Sequence, residues 1–178
     1  IDNTALIKAQ KDADVIGLFL FSPNDWEEHN EAPAKLDFIW QNLVELQRRL
    51  REFNIPLLIR EVESWSQVPS EITNIVKDYD VTGVYWNQEV GLNEFRRDEA
   101  VAKQLNAQAI SSYALTDRTI YPLGSLLNQS GQPYKVFTPF KNVFLQRISE
   151  NVYSYQGKIK KQNKLAVSYT HLRAHETG

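Results

Sequence analysis

Apolar residues along this chain come in two forms, short unbroken runs and longer stretches at helical spacing, and the two forms alternate. Val15 to Phe21, VIGLFLF, is a nearly continuous apolar run, the form taken by a strand buried on both faces of a parallel sheet. Leu36, Ile39, Trp40, Leu43, Leu46, Leu50 and Phe53 then keep helical spacing, and Asn54 and Pro56 end the helix they predict. Leu57 to Val62 reads as the next strand, and Ile72, Ile75, Val76 and Tyr79 as the apolar face of the next helix. Upstream, Asp2 and Asn3 can cap a short helix over Thr4 to Gln10. Downstream, Gln108 to Leu115 is a less apolar strand suited to a sheet edge, and Pro139 to Ile148 is a last amphipathic helix. Strands alternating with helices predict an open parallel α/β sheet with helices on both faces and right-handed crossovers.

The stretch that organises the rest is Val81 to Val101. Val81, Val84, Tyr85 and Trp86 predict a short strand, and Asn93 is a suitable N-cap for the helix that follows. Val101, Ala102 and Leu105 set that helix's apolar stripe, and the stripe projected backwards meets Asp98 and Glu94. Two carboxylates on a packing line suggest a site, although acids in a first turn also complement the helix dipole. Thr116 to Thr138 follows neither period, despite Ile120, Tyr121, Leu123, Leu126, Leu127, Tyr134 and Phe137. A loop of that length and apolarity predicts an exposed segment that lies against something else.

Composition narrows the function classes. The first 150 residues suffice for one α/β domain, and 151–167 read as the polar, lysine-rich start of a linker. A formal net charge of −2 gives no electrostatic case for nucleic-acid binding by this segment alone. No apolar run is long enough to span a membrane, and the absence of cysteine removes disulfides and cysteine metal sites. Ile stands at position 1, where the chain opens on a helix approach, and this predicts a fragment lacking its start. At the other end His171 and His175 are four apart, but no third ligand accompanies them, so no metal site is expected. The surrounding SYTHLRAHET resembles translated adapter sequence, so 168–178 are read as a non-native tail.

Neither phosphate-binding glycine loop nor nucleophile elbow occurs. What remains is a set of polar residues after the strands: His29, then Glu61 and Glu63, then Asn93 and Glu94, then Asp117. A parallel sheet gathers such residues on its carboxyl edge, where these folds bind their ligands.

Several segments carry a resemblance. DNTAL at Asp2 to Leu6, FSPNDW at Phe21 to Trp26 with His29 before APAK, and NIPLLIREV at Asn54 to Val62 are three of them. YWNQEVGLNEFRRD at Tyr85 to Asp98 and PYKVFTPF at Pro133 to Phe140 are the others. In this order they resemble the amino-terminal domain of the photolyase/cryptochrome family, in its microbial, folate-type cyclobutane-dimer branch. The resemblance implies a Rossmann-like α/β domain that holds an antenna pigment, 5,10-methenyltetrahydrofolate, and is joined to a helical domain. That second domain would hold FAD, bind DNA carrying pyrimidine dimers and split the dimer with light. The resemblance further implies that His29, Asn93 and Glu94 contact the folate and that Trp26 packs beside its pterin. It also implies a cytoplasmic enzyme, monomeric when full length, with no catalytic residue in this stretch. Members begin with a strand and a Trp-Phe-Arg motif that this chain lacks, so the sheet is expected without its first, central strand. A cryptochrome photoreceptor and a stand-alone flavodoxin-like nucleotide-binding module are the alternative readings.

Overall fold

In the computed structural model, which describes residues 3–150 and 157–167, four short strands alternate with helices as the apolar runs predict. The first half holds α1 (Thr4–Asp12), β1 (Gly17–Phe21), α2 (Pro23–Glu28), α3 (Pro33–Glu52) and β2 (Leu57–Glu61). A single 3-10 turn (Trp65–Gln67) leads to α4 (Val68–Asp78), β3 (Gly83–Asn87), α5 (Leu92–Asn106), β4 (Ser111–Leu115) and α6 (Phe137–Glu150). The readings made for 151–156 and for the tail with His171 and His175 lie outside the described residues. None of the described helices is long and apolar enough to cross a membrane.

Local chemistry explains most boundaries. Asn3 caps α1, its Oδ1 accepting the Leu6 N–H at 2.9 Å, and Asn54 takes a left-handed φ of 61° to end α3. Two readings of the sequence need correction: Ser22 to Ala34, with Pro23, Trp26, His29 and Pro33, reads there as a loop, and Asn93 as a cap. The loop from Ser22 to Ala34 contains α2, because Pro23 suits a first helical position and the Ser22 hydroxyl bonds the Asp25 carboxylate one turn on. Asn93 is not the N-cap of α5: Gly91 is, and Asn93 lies inside the first turn. The Glu94 carboxylate folds back over Gly91, so a Cβ there would require that side chain to turn aside.

The strands pair in parallel, β1 with β2 (Gly17 opposite Leu57, Phe21 opposite Glu61) and β3 with β4 (Gly83 opposite Ser111, Asn87 opposite Leu115). They form two separate pairs rather than one sheet. Between β1 and β3 lies a cavity of about 1180 Å³ lined by both strands, the form expected of a sheet without its middle member. This overturns the reading of β1 as buried on both faces: Gly17 to Phe21 are all half-buried, because one edge opens on the cavity.

Helices do cover both faces of β2, whose alternate side chains divide between them. Leu57 and Ile59 join Leu43, Leu50 and Ile55 beneath α3, while Leu58 points the opposite way to Ile75 of α4 and to Val167. A third cluster, Val62, Val68, Val76, Val101 and Leu105, joins α4 to α5. The edge strand β4 is largely exposed, as its weaker apolarity predicts.

Residues 157–167 lie as a strap across the amino ends of β1 and β2. Gln162 Oε1 accepts the Val15 N–H at 2.9 Å, and its Nε2 donates to the carbonyls of Val15 (2.9 Å) and Asn54 (3.3 Å). The Asn54 amide donates in turn to the Gln162 carbonyl at 2.7 Å. The side chain thereby satisfies backbone groups at the starts of two strands, as a neighbouring strand would. In the irregular segment Ile120, Leu123, Leu127 and Val136 are exposed, whereas Tyr121 is buried and meets the Phe144 ring edge-on at 5.6 Å.

Tyr85 ties β3 to α1, its hydroxyl donating to Asp12 Oδ2 at 2.7 Å, and it stacks on Tyr113 of β4 at 4.5 Å. Burial, followed by the Asp12 carboxylate, pushes the phenol up to about 12. The folded state therefore favours the protonated phenol. That preference is complete below the ordinary tyrosine range and is lost as pH rises through about 12. A tyrosinate absorbance titration is expected to show Tyr85 ionising late, and Asp12→Asn to bring that ionisation to lower pH. A titration unaltered by Asp12→Asn would remove Asp12 as a cause.

Candidate functional site at the carboxyl edge

The carboxyl ends of β1 and β3 supply the polar residues. After β1 the chain turns directly into α2, which carries Trp26 and ends at His29, its exposed C-cap. The Trp26 ring packs edge-on against Phe21, 4.6 Å between centroids, so the aromatic is fixed to the strand it follows. After β3, Gly91 opens α5 and places Asn93 and Glu94 in its first turn, Asn93 exposed and Glu94 half-buried. Neither side chain makes a hydrogen bond or ion pair within the described residues, so their polar atoms are available to a ligand.

The cavity between the strand pairs has its own polar mouth at this edge, formed by Ser22, Trp65, Asn87, Glu89, Arg97 and Asp98. His29, Asn93, Glu94 and Trp26 are not part of its lining. Much of the mouth is committed to structure. Asp98 Oδ2 accepts the Trp86 indole N–H at 3.0 Å, and its Oδ1 accepts Nη2 of Arg97 at 2.8 Å. Asp98, one of the two carboxylates on the packing line of α5, is thus spent on holding the helix to β3. Asp117 is spent as well: it accepts from the Thr4 hydroxyl and from the Asn87 amide, closing α1 onto the ends of β3 and β4.

The aromatic that bridges α2 and α5 is Trp65. Its ring centroid lies 6.2 Å from that of His29, and the Arg97 guanidinium carbon sits 5.5 Å from the indole centroid. Nothing in the sequence pattern announces Trp65, since a lone aromatic between Glu61 and Pro69 has no period. Among the described residues no group of three or more His, Cys, Asp or Glu could hold a metal ion.

A family model described as DNA photolyase matches residues 1–156. The chain belongs to the DNA photolyase family. Among curated relatives, the deoxyribodipyrimidine photo-lyase of Salmonella typhimurium is 35% identical over 153 residues, covering 85% of this chain and 32% of the relative. That of Vibrio cholerae is 34% identical over 145 residues, covering 81% of this chain and 31% of the relative. That of Escherichia coli is 33% identical over 153 residues, covering 85% and 32%. The chain therefore spans about a third of the length of these photolyases.

Solved photolyase structures agree on the fold. A bacterial class III photolyase from Agrobacterium tumefaciens superposes with a TM-score of 0.62 at 18% identity, covering 81% of this chain and 29% of that one. An archaeal photolyase from Sulfolobus tokodaii, solved with two FAD molecules that imply a novel light-harvesting cofactor, gives 0.57 at 24% identity, covering 80% and 31%. The split pair of parallel sheets thus corresponds to the amino-terminal α/β domain of photolyases.

Proposed function

We propose that this chain is the antenna-holding α/β domain of a deoxyribodipyrimidine photo-lyase, a light-dependent DNA repair enzyme. The observation that carries this reading is the photolyase match along residues 1–156, joined to relatives of that name at 33–35% identity. In the whole protein a flavin and a light-harvesting chromophore act together on UV-damaged DNA. FAD, the dimer-containing DNA and the catalytic groups belong to the part beyond this domain, and the protein works as a cytoplasmic monomer.

Within the domain, His29, Asn93, Glu94 and Trp26 hold the antenna, 5,10-methenyltetrahydrofolate. The donor set suits it. A pterin presents an amide-like edge of donors and acceptors, which the Glu94 carboxylate meets as acceptor and the Asn93 carboxamide as both. His29 adds a ring nitrogen from α2, and Trp26 an aromatic surface already braced by Phe21. When bound, the folate absorbs light and passes the excitation to the flavin. The chain's own part is to bind and orient it.

Glu94→Ala is expected to lower bound folate about tenfold or more, because hydrogen bonds to a carboxylate are among the stronger ones. Absorbance of folate retained by the purified protein measures it. Unchanged occupancy would sink the role given to Glu94.

A further inference from the structure

Trp65 stands between α2 and α5, the two helices that carry the residues of the proposed antenna site. Its backbone N–H donates to Asp25 Oδ2 at 2.8 Å, and the same carboxylate accepts from the buried Ser22 hydroxyl, so the turn after β2 is fastened to α2. His29 lies at the end of that helix, its ring tilted 45° to the indole. From α5, Arg97 brings its charge over the indole and is itself held, Nε and Nη2 donating to Asp98 Oδ1 at 3.1 and 2.8 Å. Asp98 is anchored on β3 by the Trp86 indole. The contacts form one chain, His29 to Trp65 to Arg97 to Asp98 to Trp86, running from α2 through the turn to α5 and β3.

The order of this chain matters for geometry. Asn93 and Glu94 precede Arg97 by four and three residues, so all three share one face of α5. Fixing Arg97 on Trp65 therefore fixes Asn93 and Glu94 relative to the same indole that His29 touches. An exposed histidine at a helix end otherwise has free rotamers, and a ligand gripped from two elements pays for ordering each of them.

We infer that Trp65 is a positioning residue of the antenna site: wedged between His29 and Arg97, it sets the separation and tilt of His29 relative to Asn93 and Glu94. A flat, two-ring heteroaromatic ligand is then gripped from both sides without prior reordering. This inference rests on the antenna reading given above. Trp65 itself lies outside the four residues assigned to the ligand.

The test uses the 178-residue chain with 5,10-methenyltetrahydrofolate as probe, and compares Trp65→Leu, Trp65→Phe, Arg97→Gln and Glu94→Ala. Two quantities are read: folate affinity, and, without ligand, the NMR shift of the His29 ring protons, which the neighbouring indole displaces. Trp65→Leu is expected to weaken folate about tenfold and return the His29 protons to free-histidine positions. Trp65→Phe keeps a ring in place and is expected to stay within about threefold of the parent. Should Trp65→Leu fail to fold, Arg97→Gln takes its place, since it leaves the indole but removes the cation that holds it. Unchanged affinity in the folded member of this pair overturns the inference, as does equal weakening by Trp65→Phe and Trp65→Leu. If Glu94→Ala weakens folate and the Trp65 and Arg97 variants do not, the antenna reading stands and this inference alone falls. If the parent chain binds no folate, the antenna reading falls and takes this inference with it.

Discussion

Leu58→Ala is expected to cost about 2–5 kcal/mol, the range for truncating a fully buried leucine, against a total stability of roughly 5–15 kcal/mol for a domain. Leu58 is 0% exposed and sits opposite Leu18 in the β1–β2 register. Its side chain reaches the face of the sheet that α4 covers, where Ile75 and Val167 close over it. Three parts of the chain that are distant in sequence thus share one methyl cluster, and removing it loosens β2, α4 and the strap together. Val44→Ala serves as the comparison, since Val44 is 48% exposed on α3 and its truncation should change stability by no more than about 0.5 kcal/mol. Denaturant midpoints measure both. Equal midpoints for the two variants would mean that the strap-side cluster contributes no more than a surface position.

Asp98→Ala is expected to destabilise by about 1.5–3 kcal/mol, the range for hydrogen bonds to a charged group. Asp98 is 14% exposed and accepts from Trp86 and from Arg97, so alanine strands an indole N–H and releases a guanidinium. Arg97 is 25% exposed and regains some solvation, which keeps the cost below that of breaking a fully buried pair. Asp98→Asn retains an oxygen for the Trp86 N–H and is expected to cost roughly half as much. The alanine variant should also alter tryptophan fluorescence, because Arg97 is no longer held over Trp65. A variant with parental stability and parental emission would show that neither contact matters in solution.

These two positions differ in how visible they are in sequence. Leu58 belongs to an apolar run between Asn54 and Arg60, and such a run announces a strand whatever the rest of the chain does. Asp98 was visible as a carboxylate on a helix stripe, but its partners were not, because Trp86 lies on β3 and only the fold brings them together. Asn93 was misjudged as a cap because cap preference is a local statistic. The helix begins two residues earlier, with Gly91 in an extended conformation as its cap. The burial of β1 was misjudged for the opposite reason: composition describes the side chains of VIGLFLF but not which strand stands beside them. Gln162 was hidden most completely, in a lysine-rich stretch that reads as a linker, because a single amide that imitates a strand edge leaves no periodic trace. That His29 follows β1 and that Asn93 and Glu94 follow β3 was legible, since the apolar runs place those strands before them. Trp65 was legible only as an aromatic, and its meaning came from Arg97 and His29.

The cavity between β1 and β3 also has a colloidal consequence. Each of these strands has a ladder partner on one side only, so each leaves a row of peptide N–H and C=O groups without a strand partner beside the cavity. Such rows attract any strand-forming segment, including one from another copy of the same molecule. Proteins that keep an open edge in solution commonly guard it with like charge, but this chain carries a formal net charge of only −2. β1 itself, GLFLF, bears no charge at all. Self-association of this chain is then expected to rise with concentration, and an added strand in the opening would act against it by pairing both rows.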